Sequence, residues 1–198
     1  MASLSYDKNL AIRIDCKKIK YGIIYGNNKI VFIKTGADGN VRGYQDKYLK
    51  MAYFIHNRLG ATVICASNPY IEVGHVKADK DFISNVVKDS RFIEYELYLV
   101  GVSDGAYHNL RLAKEIPQTS KLLCVNTSTF DFDDLKERLS DLPMVNKILV
   151  YGERDDEYMY VPYLNELKFN RLQVVTIEGA DHEFTGMGDT FISLADLI

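Results

Sequence analysis

From residue 30 to the end of the chain, short apolar runs alternate with longer stretches whose apolar positions recur every three or four residues. The runs read as strands and the longer stretches as amphipathic helices. Two β-type segments, Asn9–Cys16 and Lys20–Tyr25, open the chain. Gly26-Asn27-Asn28 then reads as a tight hairpin turn into Lys29–Lys34, a run dense in β-branched and aromatic residues. After the loop Thr35 to Asn40, Tyr44–Arg58 spaces Tyr48, Met51, Ala52 and Ile55 along one helical stripe. Ala61–Ala66 is almost wholly apolar, as expected of a strand covered on both faces.

The same unit then repeats. Helices are expected over Asp79–Asp89, Asp104–Ile116, Asp131–Leu139, Val161–Leu167 and Thr190–Ile198, and Pro117 stops the second of these. Strands are expected over Glu96–Val100, Leu122–Val125, Lys147–Val150 and Leu172–Ile177. The pattern predicts one α/β domain over residues 1–198, with eight strands, the last six joined by helical crossovers and therefore parallel where consecutive strands are neighbours.

Composition narrows the class. At 198 residues, 47% hydrophobic and 26% charged, the chain is an ordinary globular one that can build a core without staples. A net charge of −3 gives no basic field for a phosphate backbone, so no nucleic-acid partner is expected. No apolar run approaches the roughly 20 residues of a membrane span. The first residues carry neither the basic start nor the apolar stretch of a secretory signal. Three widely spaced cysteines, Cys16, Cys65 and Cys124, sit in or beside apolar stretches and read as buried free thiols. The default expectation is a cytoplasmic protein, monomer or homodimer.

One segment carries most of the chemistry. Leu97 to Ala106 is a strand, then Gly101-Val102-Ser103-Asp104-Gly105, then a helix. A G-x-S-x-G turn between strand and helix projects a serine hydroxyl from a strained backbone at the end of a sheet. Gly101 and Gly105 leave room for backbone beside that turn, and the helix start offers free N–H groups where an oxyanion would form. By composition the bare pattern arises by chance about 0.07 times in a chain this long. No Lys follows in a phosphate-loop position, and no G-x-G-x-x-G is present, which disfavours a nucleotide-binding protein.

A serine nucleophile needs a base, and the base an orienting acid. Of four histidines, His56 lies inside a helix and His108 sits five positions past Ser103, pointing away from it. His75 lies in an irregular stretch and stays open as an alternative. His182 directly follows the last strand, where catalytic residues gather in such sheets. The acid is sought after Lys147–Tyr151, where Asp155 is the first candidate and Asp156 its rival. The chain order Ser103, Asp155, His182 fits one of the known serine-triad arrangements and not the others.

GVSDG, YGERDD and GADHEF, each after its own strand, together resemble the α/β-hydrolase superfamily over essentially the whole chain. Gly152-Glu153-Arg154-Asp155 matches the acid pattern of that family and Gly179-Ala180-Asp181-His182 its base pattern. The resemblance implies a mostly parallel eight-stranded sheet with helices on both faces, an antiparallel second strand, and the nucleophile after the fifth. It also implies an oxyanion hole made by the N–H groups of Asp104 and, from the loop after the third strand, Ala37, although Thr35-Gly36 departs from the common His-Gly start.

Between Asn126 and Lys147 there is no room for a substantial lid. An open, shallow pocket and a small acyl ester, thioester or amide substrate are therefore expected. The competing class is a non-catalytic binding protein for small molecules on the same fold. Tyr70, Tyr107, Tyr158 and Tyr160 lie near the site loops, as pocket lining or as interfacial packing. Asp133-Asp134 reads as a helix-capping feature. No His, Cys or Asp cluster shows ligand spacing, so no metal and no cofactor are expected.

Overall fold

The computed structural model describes residues 4–129 and 131–198; the leading Met1–Ser3 and Phe130, in the connection read as lidless, lie outside them. The strands are β1 (Lys8–Ile14), β2 (Lys17–Ile24), β3 (Asn27–Lys34), β4 (Ala61–Ala66), β5 (Glu96–Val102), β6 (Thr119–Val125), β7 (Asn146–Gly152) and β8 (Leu172–Ile177). The helices are α1 (Lys47–Leu59), α2 (His75–Asp89), α3 (Asp104–Glu115), α4 (Phe132–Ser140), α5 (Val161–Glu166) and α6 (Gly188–Ser193). One sheet holds all eight strands in the order β1-β2-β4-β3-β5-β6-β7-β8. β2 runs antiparallel to both its neighbours, and every pair from β4 through β8 is parallel.

Side chains alternate across this sheet as the two-residue strand period requires. Ile30 and Phe32 of β3, with Leu97 and Leu99 of β5, face one layer with Phe82 and Ile83 of α2, Leu110 of α3 and Leu135 of α4. Val31, Ile33, Tyr98 and Val100 face the opposite layer, with Leu49, Met51 and Ile55 of α1 and Phe191 of α6. The result is the three-layer arrangement that near-continuous apolar strands demand. Each residue at 0% exposure here contributes on the order of 1.5–3 kcal/mol of burial. Among the described residues no helix is long and apolar enough to cross a membrane.

Several expectations are corrected. Gly26-Asn27-Asn28 closes no hairpin, because β4 lies between β2 and β3. The turn bonds to β4 instead: Asn27 N–H donates to Gly60 O and Gly26 N–H to Thr62 Oγ1. Gly26 also passes so close to Gly60 and Ala61 that a Cβ would lie 2.3 Å from a backbone oxygen. The tight hairpin joins β1 to β2, turning at Asp15 with φ 51°. Cys16 sits in that turn and is exposed, unlike the buried Cys65 and Cys124, whose thiols burial pushes up to about 12. The cap of α4 is Asp131, whose carboxylate accepts from Asp133 N–H; Asp133 and Asp134 lie in the first turn. The closing helix is α6 followed by a 3-10 turn, Leu194–Leu197.

α2 begins four residues earlier than the sequence suggests, at His75, and this has a structural consequence. His75 and Asp79 are thereby one turn apart, facing the end of β3. There Lys34, fully buried, donates to Asp79 Oδ2 at 2.7 Å, to His75 Nε2 at 2.6 Å and to Ser67 O at 3.0 Å. Tyr21 Oη donates to Asp79 Oδ1 at 2.7 Å, and His108 Nε2 of α3 lies 2.8 Å from Asp79 Oδ2. Burial works against ionising Asp79, but the Lys34 ammonium and the His108 contact outweigh it and hold the carboxyl below its usual range. Burial, then the Lys34 charge, lower His75 to about 3, so its ring stays neutral and accepts from Lys34.

Removing one partner of such a pair strands the other charge. Asp79→Ala should cost about 3–5 kcal/mol of stability, read as a lower denaturant midpoint. An unchanged midpoint would mean that Lys34 is not charged or not held there.

Candidate active site

The chain from β5 into α3 turns on a single strained residue. Ser103 has φ 54° and ψ −125°, a region non-glycine residues rarely occupy, and its N–H donates to Val125 O at 2.8 Å. Close backbone approach makes the turn possible. A Cβ on Gly105 would lie 2.2 Å from Thr35 O, and one on Gly101 would lie 2.4 Å from Ala106 Cα. The hydroxyl is thereby lifted off the helix, where it caps no N–H.

Two loops bring partners to it. After β8, His182 Nε2 lies 2.9 Å from Ser103 Oγ, and His182 Nδ1 lies 2.6 Å from Asp155 Oδ2. Asp155 follows β7 and is buried, and its Oδ1 accepts from Glu157 N–H at 2.8 Å. Both carboxylate oxygens are thus bonded, which fixes the carboxylate plane toward the ring. The hydrogen bond to Asp155 is the main cause that raises the His182 pKa above its ordinary value, with burial pulling the other way. With Nδ1–H donated to Asp155, neutral His182 presents a bare Nε2 lone pair to the Ser103 hydroxyl. Asp156 is exposed and stands outside this chain of bonds. His75 and His108 belong to the buried Lys34 cluster and not to Ser103.

The loop after β3 lies against the serine. A Cβ on Gly36 would sit 3.5 Å from Ser103 Cβ. Among the described residues, neither Ala37 N–H nor Asp104 N–H has a hydrogen-bond acceptor. Asn68, buried just after β4, fastens both sides of this pair. Its carbonyl accepts from Asp38 N–H, its N–H donates to Gly39 O, and its side-chain amide donates to Asp104 Oδ2 at 3.0 Å.

Three residues here escape a sequence reading. Asn68 is one. Asn126, at φ 47° directly after β6, is another: its amide donates to Asp181 O and His182 O, and its Oδ1 accepts from Gly152 N–H. An asparagine ending an apolar run, where a left-handed residue is tolerated, is the one local signal that could have found it. The third is Ser128, whose Oγ lies 3.1 Å from Ser103 Oγ. It sits in a Thr-Ser-Thr stretch that reads only as loop.

The surroundings are open. Ser103 is half-buried and the His182 side chain is 40% exposed. A cleft of about 880 Å³, lined by Asn68, Tyr70, Asp104, Tyr107 and Arg111 among others, opens beside the start of α3. Of the tyrosines singled out from the sequence, Tyr70 is 76% exposed on this cleft, while Tyr107 donates to Asp134 and Tyr160 stacks on Phe132.

The sequence shows no metal-ligand spacing, yet folding gathers His75, Asp79 and His108 with donor atoms within 4.8 Å of one another. The Lys34 ammonium lies within hydrogen-bond distance of two of those atoms, His75 Nε2 and Asp79 Oδ2.

No protein-family model and no curated protein matches the sequence. Solved structures do match in fold. An alpha-beta serine hydrolase homologue from Coxiella burnetii superposes with a TM-score of 0.70 at 16% identity, covering 98% of both chains. Est1E from Butyrivibrio proteoclasticus gives 0.68 at 13% identity over 96% of each. XC6422 from Xanthomonas campestris, a serine hydrolase without a lid, gives 0.60 at 18% identity over 98% of this chain and 95% of that one.

Proposed function

We propose that this chain, which has the α/β-hydrolase fold, is a serine hydrolase that cleaves a small acyl ester, or the corresponding thioester or amide, through an acyl-enzyme on Ser103. The observation that carries this reading is the continuous line of hydrogen bonds from Ser103 Oγ through His182 to the buried Asp155, at 2.9 and 2.6 Å. It is the arrangement in which a neutral imidazole takes a hydroxyl proton and a carboxylate holds the resulting imidazolium.

In this reading His182 Nε2 removes the Ser103 proton as Oγ attacks the acyl carbon, then returns it to the leaving group. A water repeats the cycle and frees the acid. Ala37 and Asp104 N–H groups are the donors to the oxyanion, each free of a competing acceptor among the described residues. The α3 N-terminus adds its positive dipole end at the same place. The openness around Ser103 and His182 suits a small or readily reached acyl group. A role in the cytoplasm as a monomer or homodimer, with neither metal nor cofactor, belongs to the same proposal.

The test is an adduct. A fluorophosphonate probe should add one phosphonyl group to the protein, on the peptide that contains Ser103. Failure of the folded protein to react, with no hydrolysis of p-nitrophenyl acetate, would instead favour a non-catalytic binding protein on this fold.

A further inference from the structure

We propose that Ser128 is a second catalytic hydroxyl of this site: it donates a hydrogen bond to Ser103 Oγ and carries part of that oxygen's charge whenever its bond to the acyl carbon forms or breaks. The inference rests on the serine-hydrolase reading above.

The donor assignment follows from counting protons. A serine hydroxyl has one hydrogen and two lone pairs. When His182 is neutral, its Nδ1–H is committed to Asp155, so Nε2 accepts and the single Ser103 proton points at it. The contact of 3.1 Å between Ser103 Oγ and Ser128 Oγ then has only one possible donor, Ser128. At that separation it is a long bond for two neutral hydroxyls, which settle near about 2.7–2.8 Å. It gains strength and shortens as its acceptor becomes negative.

The acceptor becomes negative twice in each cycle. In acylation the Ser103 proton passes to His182 Nε2, Oγ bonds to the acyl carbon, and the leaving group departs with the proton from Nε2. In deacylation the oxygen of a water bonds to the acyl carbon and its proton passes to Nε2. The carbon–Oγ bond then breaks, and Oγ takes that proton. Charge on Oγ peaks while its bond to carbon is half made or half broken. A donor that tightens at that moment favours the transition state over the ground state, which raises kcat rather than lowering KM.

The backbone holds Ser128 in place for this. Asn126, turned at φ 47°, is bonded to the histidine loop and to the end of β7. Thr127 and Thr129 on either side are buried, and Thr129 Oγ1 donates to Thr127 O at 3.1 Å. A hydroxyl on such an anchored turn costs little reorganisation when the charge appears.

Ser128→Ala and Ser128→Thr separate the hydroxyl from the loop that bears it. Expected for Ser128→Ala is a fall in kcat of about tenfold, the scale of one charge-assisted hydrogen bond, with KM and melting temperature near wild type. Fluorophosphonate labelling of Ser103 should slow by a similar factor. Ser128→Thr should recover most of both losses. Unchanged rates in Ser128→Ala, a loss in KM alone, or equal losses in the Ala and Thr variants would overturn the proposal. Wild-type protein that is neither labelled at Ser103 nor active would instead sink the serine-hydrolase reading itself. A labelled wild type beside an unaffected Ser128→Ala sinks only the role of Ser128.

Discussion

Replacing Ser103 by alanine should reduce turnover of an activated ester by about 10⁴-fold or more and abolish fluorophosphonate labelling. Among the described residues, no other hydroxyl is hydrogen-bonded to the His182 ring. Ser128 lies beside Ser103, but its oxygen bonds to Ser103 and the structure records no bond from it to His182. The substitution should leave the fold intact, because the side chain caps no helix N–H and the positive φ is imposed by backbone packing around Gly101 and Gly105. Circular dichroism and melting temperature should therefore match wild type. An alanine variant with near-normal hydrolysis would show that the chemistry occurs elsewhere.

The second large effect concerns pH. His182 must be neutral to accept the Ser103 proton, so activity rises as pH passes upward through its pKa. The Asp155 hydrogen bond lifts that pKa above the ordinary histidine value of about 6.5. The acid limb of kcat/KM should thus have its midpoint above that of an ordinary histidine. Asp155→Asn removes the group that favours the imidazolium, so the limb should move to lower pH. The plateau should drop by up to about 10⁴-fold, because an amide neither fixes the tautomer nor balances the charge. Asp156→Asn, exposed and outside the bonded chain, should leave both limb and plateau within about twofold, the reach of a screened surface charge. If Asp156→Asn proves the more damaging, the acid is the neighbouring residue.

The three loops of the site could be read from the chain because each follows a run of strand-forming residues: Glu96–Val102 and Asn146–Gly152 are buried interior strands, and Leu172–Ile177 is the half-buried edge strand of the same sheet. Once Glu96–Val102, Asn146–Gly152 and Leu172–Ile177 are parallel neighbours or near neighbours, Ser103, Asp155 and His182 emerge at the same edge of the sheet. Strand pairing at the start of the chain was not readable. Gly26-Asn27-Asn28 has local hairpin chemistry, but β4 comes later in the chain and inserts between β2 and β3, and no local signal announces it. The start of α2 was hidden for a different reason. Gly74 caps it with no side-chain hydrogen bond, so the usual Ser, Thr, Asp or Asn marker is missing. A helix starting at Asp79 leaves His75 outside it, so the one-turn relation of the two residues is not legible in the sequence. Asn68, Asn126 and Ser128 act through bonds to residues far along the chain, which residue spacing does not encode.

The fully buried Lys34 also works as an alignment key. It is the last residue of β3, on the same face as Ile30 and Phe32, where Asp79 and His108 await it. Sliding β3 by one position would turn every side chain to the other face. The ammonium would then enter the apolar layer built from Leu49, Met51 and Ile55 and lose its bond to Asp79. A wholly apolar strand would tolerate such a slip far better, since Val31, Phe32 and Ile33 are near-equivalents in an oily layer. The loop from Thr35 to Ala37 follows directly, so any error in the strand would pass unchanged to Ala37, whose N–H is the oxyanion donor proposed from that loop. A charge buried on one side of the sheet thus sets, to the residue, where the backbone stands on the edge where acyl transfer is proposed.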